Sequence, residues 1–153
     1  MNKNPFVKVI LPVLLLSAQA LLGSASSEPR LSFVDNGLFI AAQHNNTGQA
    51  RDLIAQGANV GALNDQQRTP AHTAAAFGSV DVLRLLKAKG ANFNATDKVG
   101  NTPLHKAAES GRLKAVQYLV NNGAIRAPKN KFGQTPEALA RIKGHEDVVS
   151  YLR

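Results

Sequence analysis

The sequence predicts an all-α solenoid of about four helix–turn–helix units, and three periodic landmarks predict it. Thr69-Pro70 recurs as Thr102-Pro103 and Thr135-Pro136, Gly78 as Gly111 and Gly144, and Gly57 as Gly90 and Gly123. All three share a spacing of 33 residues, and independent landmarks on one period of this length mark a stacked repeat. Composition agrees. Hydrophobic residues make up 44% of the 153-residue chain, aromatics only 5%, and Trp is absent. The core is therefore expected from Ala, Leu, Val and Ile, which suits short helices packed closely.

Residues 1–20 read as a secretory leader. Lys3 and Lys8 supply the positive start, Val9 to Leu16 the apolar run, and Ala18-Gln19-Ala20 the small-residue cleavage site, with a second site after Ala25. The uncharged stretch from Val9 to Gly23 is 15 residues long, short of the roughly 20 a membrane-spanning helix needs. No integral membrane anchor is expected once the leader is removed. Residues 21–30 read as a polar linker, and 31–153 as the repeat domain, with units at about 31–63, 64–96, 97–129 and 130–153.

Each landmark has a mechanical reason. Thr before Pro opens a helix: the hydroxyl caps free N–H groups, and Pro at the first position has no N–H to satisfy. Ala74-Ala75-Ala76 and Ala107-Ala108 let a neighbouring helix come close. Gly78, Gly111 and Gly144 close that helix in a left-handed conformation. A second helix follows with apolar spacing, Val80, Val82, Leu83, Leu85, Leu86 and then Leu113, Val116, Leu119, Val120, ending at Gly90 or Gly123.

The run Thr102-Pro103-Leu104-His105-Lys106-Ala107-Ala108-Glu109-Ser110-Gly111 resembles the ankyrin-repeat signature, as does Gly90-Ala91-Asn92-Phe93-Asn94-Ala95. The resemblance covers about residues 31–153 and implies helix–turn–helix units joined by hairpin-like fingers. It also implies that His72 and His105, in the Thr-Pro-x-His position of Thr69-Pro70 and Thr102-Pro103, make structural hydrogen bonds across a loop. The last unit keeps Thr135-Pro136 but lacks the His.

Departures from the pattern are informative. The first unit has Asn36-Gly37 for Thr-Pro, Asn45 for the helix-ending Gly, and polar Gln49 and Asp52 in its second helix, as an N-terminal cap should. The last unit reads as a C-terminal cap truncated after its second helix. Gly123-Ala124-Ile125-Arg126-Ala127-Pro128 breaks the polar loop pattern, which argues against a regular hairpin between the third and fourth units.

Catalytic chemistry finds little footing. Cysteine is absent, which removes disulfides, thiolate metal sites and a Cys nucleophile together. No phosphate loop, nucleophile elbow or zinc-protease motif occurs, and His72 and His105, 33 residues apart, have no carboxylate at metal spacing. His145 is expected to be an exposed second-helix residue. Neither an enzyme nor a cofactor is expected. Nucleic acid is disfavoured by the leader and by the missing aromatic–basic interleaving.

The charge is unevenly placed. Residues 21–97 balance six basic against six acidic residues, whereas 98–153 set ten basic against four acidic, a net +6 of the chain's +8. Finger tips and the exposed side of each first helix are the surfaces ankyrin stacks use. By position these hold Lys98, Val99, Lys131 and Phe132 on the fingers and Phe77, Ile142 and Lys143 on the helices. Phe132 with Lys131, Lys129 and Arg126 reads as the centre of a binding patch, an aromatic ringed by cations. Arg126 stands where Val60 and Phe93 stand in earlier units, which leaves it no evident packing role. The reading is a monomeric, non-catalytic protein-binding module, exported to the periplasm or secreted, for a partner that is acidic or offers an apolar pocket. A secreted host-directed factor and a binder of anionic envelope surfaces are the alternatives.

Overall fold

The computed structural model describes residues 31–153; the leader, its cleavage sites and the 21–30 linker lie outside the described residues. Those 123 residues form eight short helices in four antiparallel pairs: α1 (Phe33–Gln43) with α2 (Thr47–Ala55), α3 (Pro70–Phe77) with α4 (Val80–Ala88), α5 (Pro103–Glu109) with α6 (Leu113–Asn121), and α7 (Pro136–Lys143) with α8 (Glu146–Leu152). The described residues contain no strand.

Local chemistry sets the boundaries. Thr69, Thr102 and Thr135 are extended N-caps, each followed by Pro at the first helical position. The Thr135 hydroxyl accepts from the Ala138 N–H at 3.2 Å. In the first unit, where Thr-Pro is absent, Ser32 takes over and its hydroxyl accepts from Asp35 N–H. Asn45 occupies the left-handed position with φ 52°, while Gly78 and Gly144 hold 75° and 77° in the same register. An Asn tolerates this conformation because its short polar side chain bonds locally, and Asn45 Oδ1 accepts from Val82 N–H of the next unit.

The first helices make an alanine layer. Ala41, Ala42, Ala74, Ala75, Ala107, Ala108 and Ala140 are fully buried, so successive first helices pack more closely than successive second helices. The second helices bring the bulk: Leu83, Leu86, Val116, Leu119, Val148 and Val149 are completely enclosed. Burial of each such Leu or Val contributes about 1.5–3 kcal/mol.

Three fingers connect the units, and their geometry repeats. Asn64, Asp97 and Asn130 each use one side-chain oxygen to accept two backbone N–H groups: Gln66 and Arg68, Val99 and Asn101, Phe132 and Gln134. The turns close by Gln67 N–H to Asn64, Gly100 N–H to Asp97 and Gly133 N–H to Asn130. The finger between the third and fourth units is thus as regular as the others, contrary to the expectation from Gly123–Pro128. The turn is built by Asn130 and Gly133, downstream of that departure, and owes nothing to the altered residues.

His72 and His105 lock each unit to the next finger. His105 Nδ1 accepts the Thr102 N–H at 3.1 Å, and Nε2 lies 3.0 Å from the Gln134 carbonyl oxygen. His72 does the same with Thr69 N–H and the Asn101 carbonyl. An accepting Nδ1 carries no proton, so Nε2–H is the donor and both rings are neutral. Burial pushes both histidines below their ordinary value, which agrees.

His145 is not the exposed residue expected from its position. It caps α8, is half-buried, and places Nε2 3.1 Å from the carbonyl oxygen of Glu109, the last residue of α5. Arg112 does the equivalent one unit earlier, its Nε 3.3 Å from the Ala76 carbonyl. Each side chain satisfies a helix-end carbonyl that its own helix leaves open.

Candidate functional site

The finger row and the exposed side of α1, α3, α5 and α7 form the surface on which the sequence places most candidate residues. Phe132 stands 73% exposed at the tip of the third finger and does not fold back on its neighbour. Lys98, Lys129 and Lys131 are exposed, and Val99 is half-buried. The backbone joins consecutive tips: Lys98 N–H donates to the Gln66 carbonyl and Lys131 N–H to the Val99 carbonyl, each at 3.0 Å. Lys98–Val99 and Lys131–Phe132 are therefore brought side by side.

The helix candidates lie apart. Phe77 is at the end of α3, 48% exposed, and Ile142 is on α7, 65% exposed beside exposed Lys143. Helix α5 stands between them. At the equivalent positions stand Ser110, the residue that caps the end of α5, for Phe77 and Glu109 for Ile142. Phe77 also borders a surface hollow of about 340 Å³ walled by Arg112 and Lys114. Glu109 is engaged by Lys106, so its charge is largely met within the stack.

Arg126 has a packing role after all. Its guanidinium sits 5.1 Å from the centre of the Tyr151 ring, and it donates to the backbone carbonyls of Leu152 and Tyr151 at the end of α8. A cation bonded to the last carbonyls of a helix meets both unsatisfied acceptors and the negative end of the dipole. The signal was present in the period. Phe93 meets Tyr118 edge-on with ring centres 6.2 Å apart, and Arg126 and Tyr151 each lie 33 residues later. An aromatic pair has become a cation–π pair in the same register. Arg126 is committed to the last helix, and the patch is left with Lys129, Lys131 and Phe132.

Sequence reasoning missed other exposed apolar side chains. Ile40 on α1 is 47% exposed, at the position Lys106 fills on α5, and Ile125 stands exposed where Asn59 and Asn92 stand in earlier units. Both substitutions are visible in the 33-residue alignment.

The free cations are as telling as the apolar groups. Four ion pairs occur among the described residues: Arg68–Asp97, Arg84–Asp81, Lys106–Glu109 and Arg141–Glu137. None of them uses Lys98, Lys129, Lys131 or Lys143. Among the described residues no group of three His, Asp or Glu stands close enough to hold a metal ion. No helix among them is long and apolar enough to cross a membrane. Every buried side-chain nitrogen and oxygen described has a partner. The arrangement offers contact area and charge to a binding partner.

A family model described as "Ankyrin repeats (3 copies)" matches residues 17–97, 38–130 and 90–153. No curated protein matches the chain significantly.

Proposed function

Because the chain belongs to the ankyrin-repeat family, we propose that it is an exported binding protein that holds or regulates a partner protein in the periplasm. Ankyrin repeats are in general non-enzymatic protein–protein interaction modules. The observation that carries the reading here is the exposure of Phe77, Ile142 and Phe132 on the first-helix and finger side, beside lysines that no carboxylate of the described chain answers. Aromatic and aliphatic anchors within a charged rim are the composition of an interaction surface. The cations mainly raise the association rate.

Cross-linking in cells, followed by binding measurements with the purified partner, tests this. Phe77→Ala with Ile142→Ala is expected to weaken binding by roughly 2 kcal/mol or more while leaving the melting temperature unchanged. Lys89→Ala, on the exposed end of α4, should leave binding intact. Equal loss in both variants, or none in either, would reject the surface.

Export rests on the leader. Mass spectrometry of the mature protein should find an N-terminus at Leu21 or Ser26, after Ala18-Gln19-Ala20 or after Ala25. Intact Met1 on protein held in the inner membrane would overturn the proposal.

A further inference from the structure

Successive units meet where a first helix turns into its second, and this junction occurs three times. Asn45 meets Val82 of the next unit, Gly78 meets Arg112, and Gly111 meets His145. Charge separates the three. The second residue of the following helix is Asp81 in α4 and Asp147 in α8, but Lys114 in α6. At the first junction the Asn45 side chain fills the contact, its Nδ2 3.2 Å from Asp81 Oδ2. At the third the His145 ring lies against Gly111. At the middle one Gly78 contributes no side chain, and the hollow of about 340 Å³ beside Phe77 lies here.

Its walls combine two chemistries. Phe77, Leu113 and Ala115 are apolar, while Arg112 and Lys114 are exposed cations. Neither cation belongs to an ion pair among the described residues, and no carboxylate stands in the lining. Arg112 is also held in place. Its Nε lies 3.3 Å from the Ala76 carbonyl and its stem runs close to Gly78. Its two terminal nitrogens have no partner among the described residues. A guanidinium fixed through Nε offers its remaining N–H groups as a ready fork for a carboxylate.

We propose that this hollow receives a carboxylate side chain of the partner protein, together with the apolar side chain next to it in sequence. The proposal rests on the protein-binding reading above and gives the Phe77 region its partner chemistry. The carboxylate would meet the two free nitrogens of Arg112 and the Lys114 ammonium, and its apolar neighbour would cover the Phe77 ring. A guanidinium already held loses little freedom on binding. Charge selects the occupant and the junction: an acidic segment meets two unanswered cations here, but Asp81 or Asp147 at the other two.

The test titrates 15N-labelled protein with a capped Gly-Asp-Leu-Gly peptide. Peptides with Asn for the Asp or Gly for the Leu, and inorganic phosphate, serve as comparisons. Shifts are expected at the Arg112 Nε–H and at the amides of Gly78, Lys114 and Ala115. Affinity should fall about tenfold when Asn replaces the Asp, the ratio that one charge-assisted hydrogen bond makes. Lys114→Asp, which installs the residue of the other two junctions, should give a similar loss without lowering the melting temperature. Silence at millimolar peptide, undiminished binding by Lys114→Asp, or equal binding of the Asn peptide would overturn the site. Phosphate binding as tightly as the peptide would overturn it too, leaving a bare anion site. Shifts of the same amides with protein concentration alone would name a second copy of the chain as occupant and reject the partner. Each of these leaves the broader interaction reading standing. That reading fails separately, if partner binding ignores Phe77 and Ile142.

Discussion

Replacing His105 with Ala is expected to lower the unfolding free energy by about 3 kcal/mol, measured by urea denaturation at pH 7. The ring is fully buried and joins three groups: Thr102 N–H and hydroxyl through Nδ1, and the Gln134 carbonyl through Nε2. Removing it loses all three contacts and strands a backbone donor and acceptor away from water, each costing about 1–3 kcal/mol if no water reaches it. The cavity left between helix and finger adds to this. The same residue makes stability depend on pH. Burial, the largest cause, holds both His105 and His72 below their ordinary value of 6.5. At a pH just below that value the unfolded chain binds protons that the folded chain refuses, so stability falls as pH falls. Loss begins near pH 6.5 and continues down to the folded-state values, with a slope of up to about 1.4 kcal/mol per pH unit for each histidine. Above pH 7 the contribution is complete and flat. A variant lacking both rings should be less stable at pH 7 and show a shallower decline between pH 6.5 and 5. An unchanged slope would mean that other groups govern acid sensitivity.

The repeat was legible because its landmarks are backbone requirements. Thr-Pro, Gly78 and Gly144 are demanded by helix starts and left-handed ends, and such demands recur wherever the backbone recurs. What was less legible is the contact between units. The finger at Asn130 looked irregular because the altered residues 123–128 drew attention, whereas the turn depends on Asn130 and Gly133 alone. Arg126 looked free because a cation stands where Val60 and Phe93 stand in earlier units. Its partner Tyr151 is close only once α8 is packed, although the register of Phe93 and Tyr118 foretold the meeting. The exposed candidates divide similarly. Phe132 could be placed at a tip from the period, but its 73% exposure depends on whether a ring turns back or out. Ile40 was overlooked because an apolar residue in an alanine-rich helix reads as core, although the 33-residue register sets it at the position of Lys106.

Gly111→Ala is expected to cost about 2–3 kcal/mol, and Gly144→Ala only about half as much, although both glycines end a first helix in the same conformation. Their φ values are 64° and 77°, so an added Cβ meets the left-handed penalty of about 1–2 kcal/mol at either site. The difference lies in what the new methyl would touch. At Gly144 nothing lies within 4 Å, but at Gly111 a Cβ would fall 2.6–2.8 Å from three atoms of the His145 ring. The ring cannot swing aside freely. Its Nε2 is bonded to the Glu109 carbonyl, and its backbone caps α8. Displacing it gives up that bond, about 1 kcal/mol, and reopens the end of α5. Gly78→Ala should fall between the two, because the nearest atom there is Arg112 Cδ at 3.1 Å, on a flexible stem. A double-mutant cycle isolates the clash: in a His145→Ala background, Gly111→Ala should cost no more than Gly144→Ala does in the unaltered protein. Chemical denaturation of the four proteins of the cycle and of Gly144→Ala measures it. If Gly111→Ala costs the same with and without the His145 ring, the ring does not brace the junction between the third and fourth units.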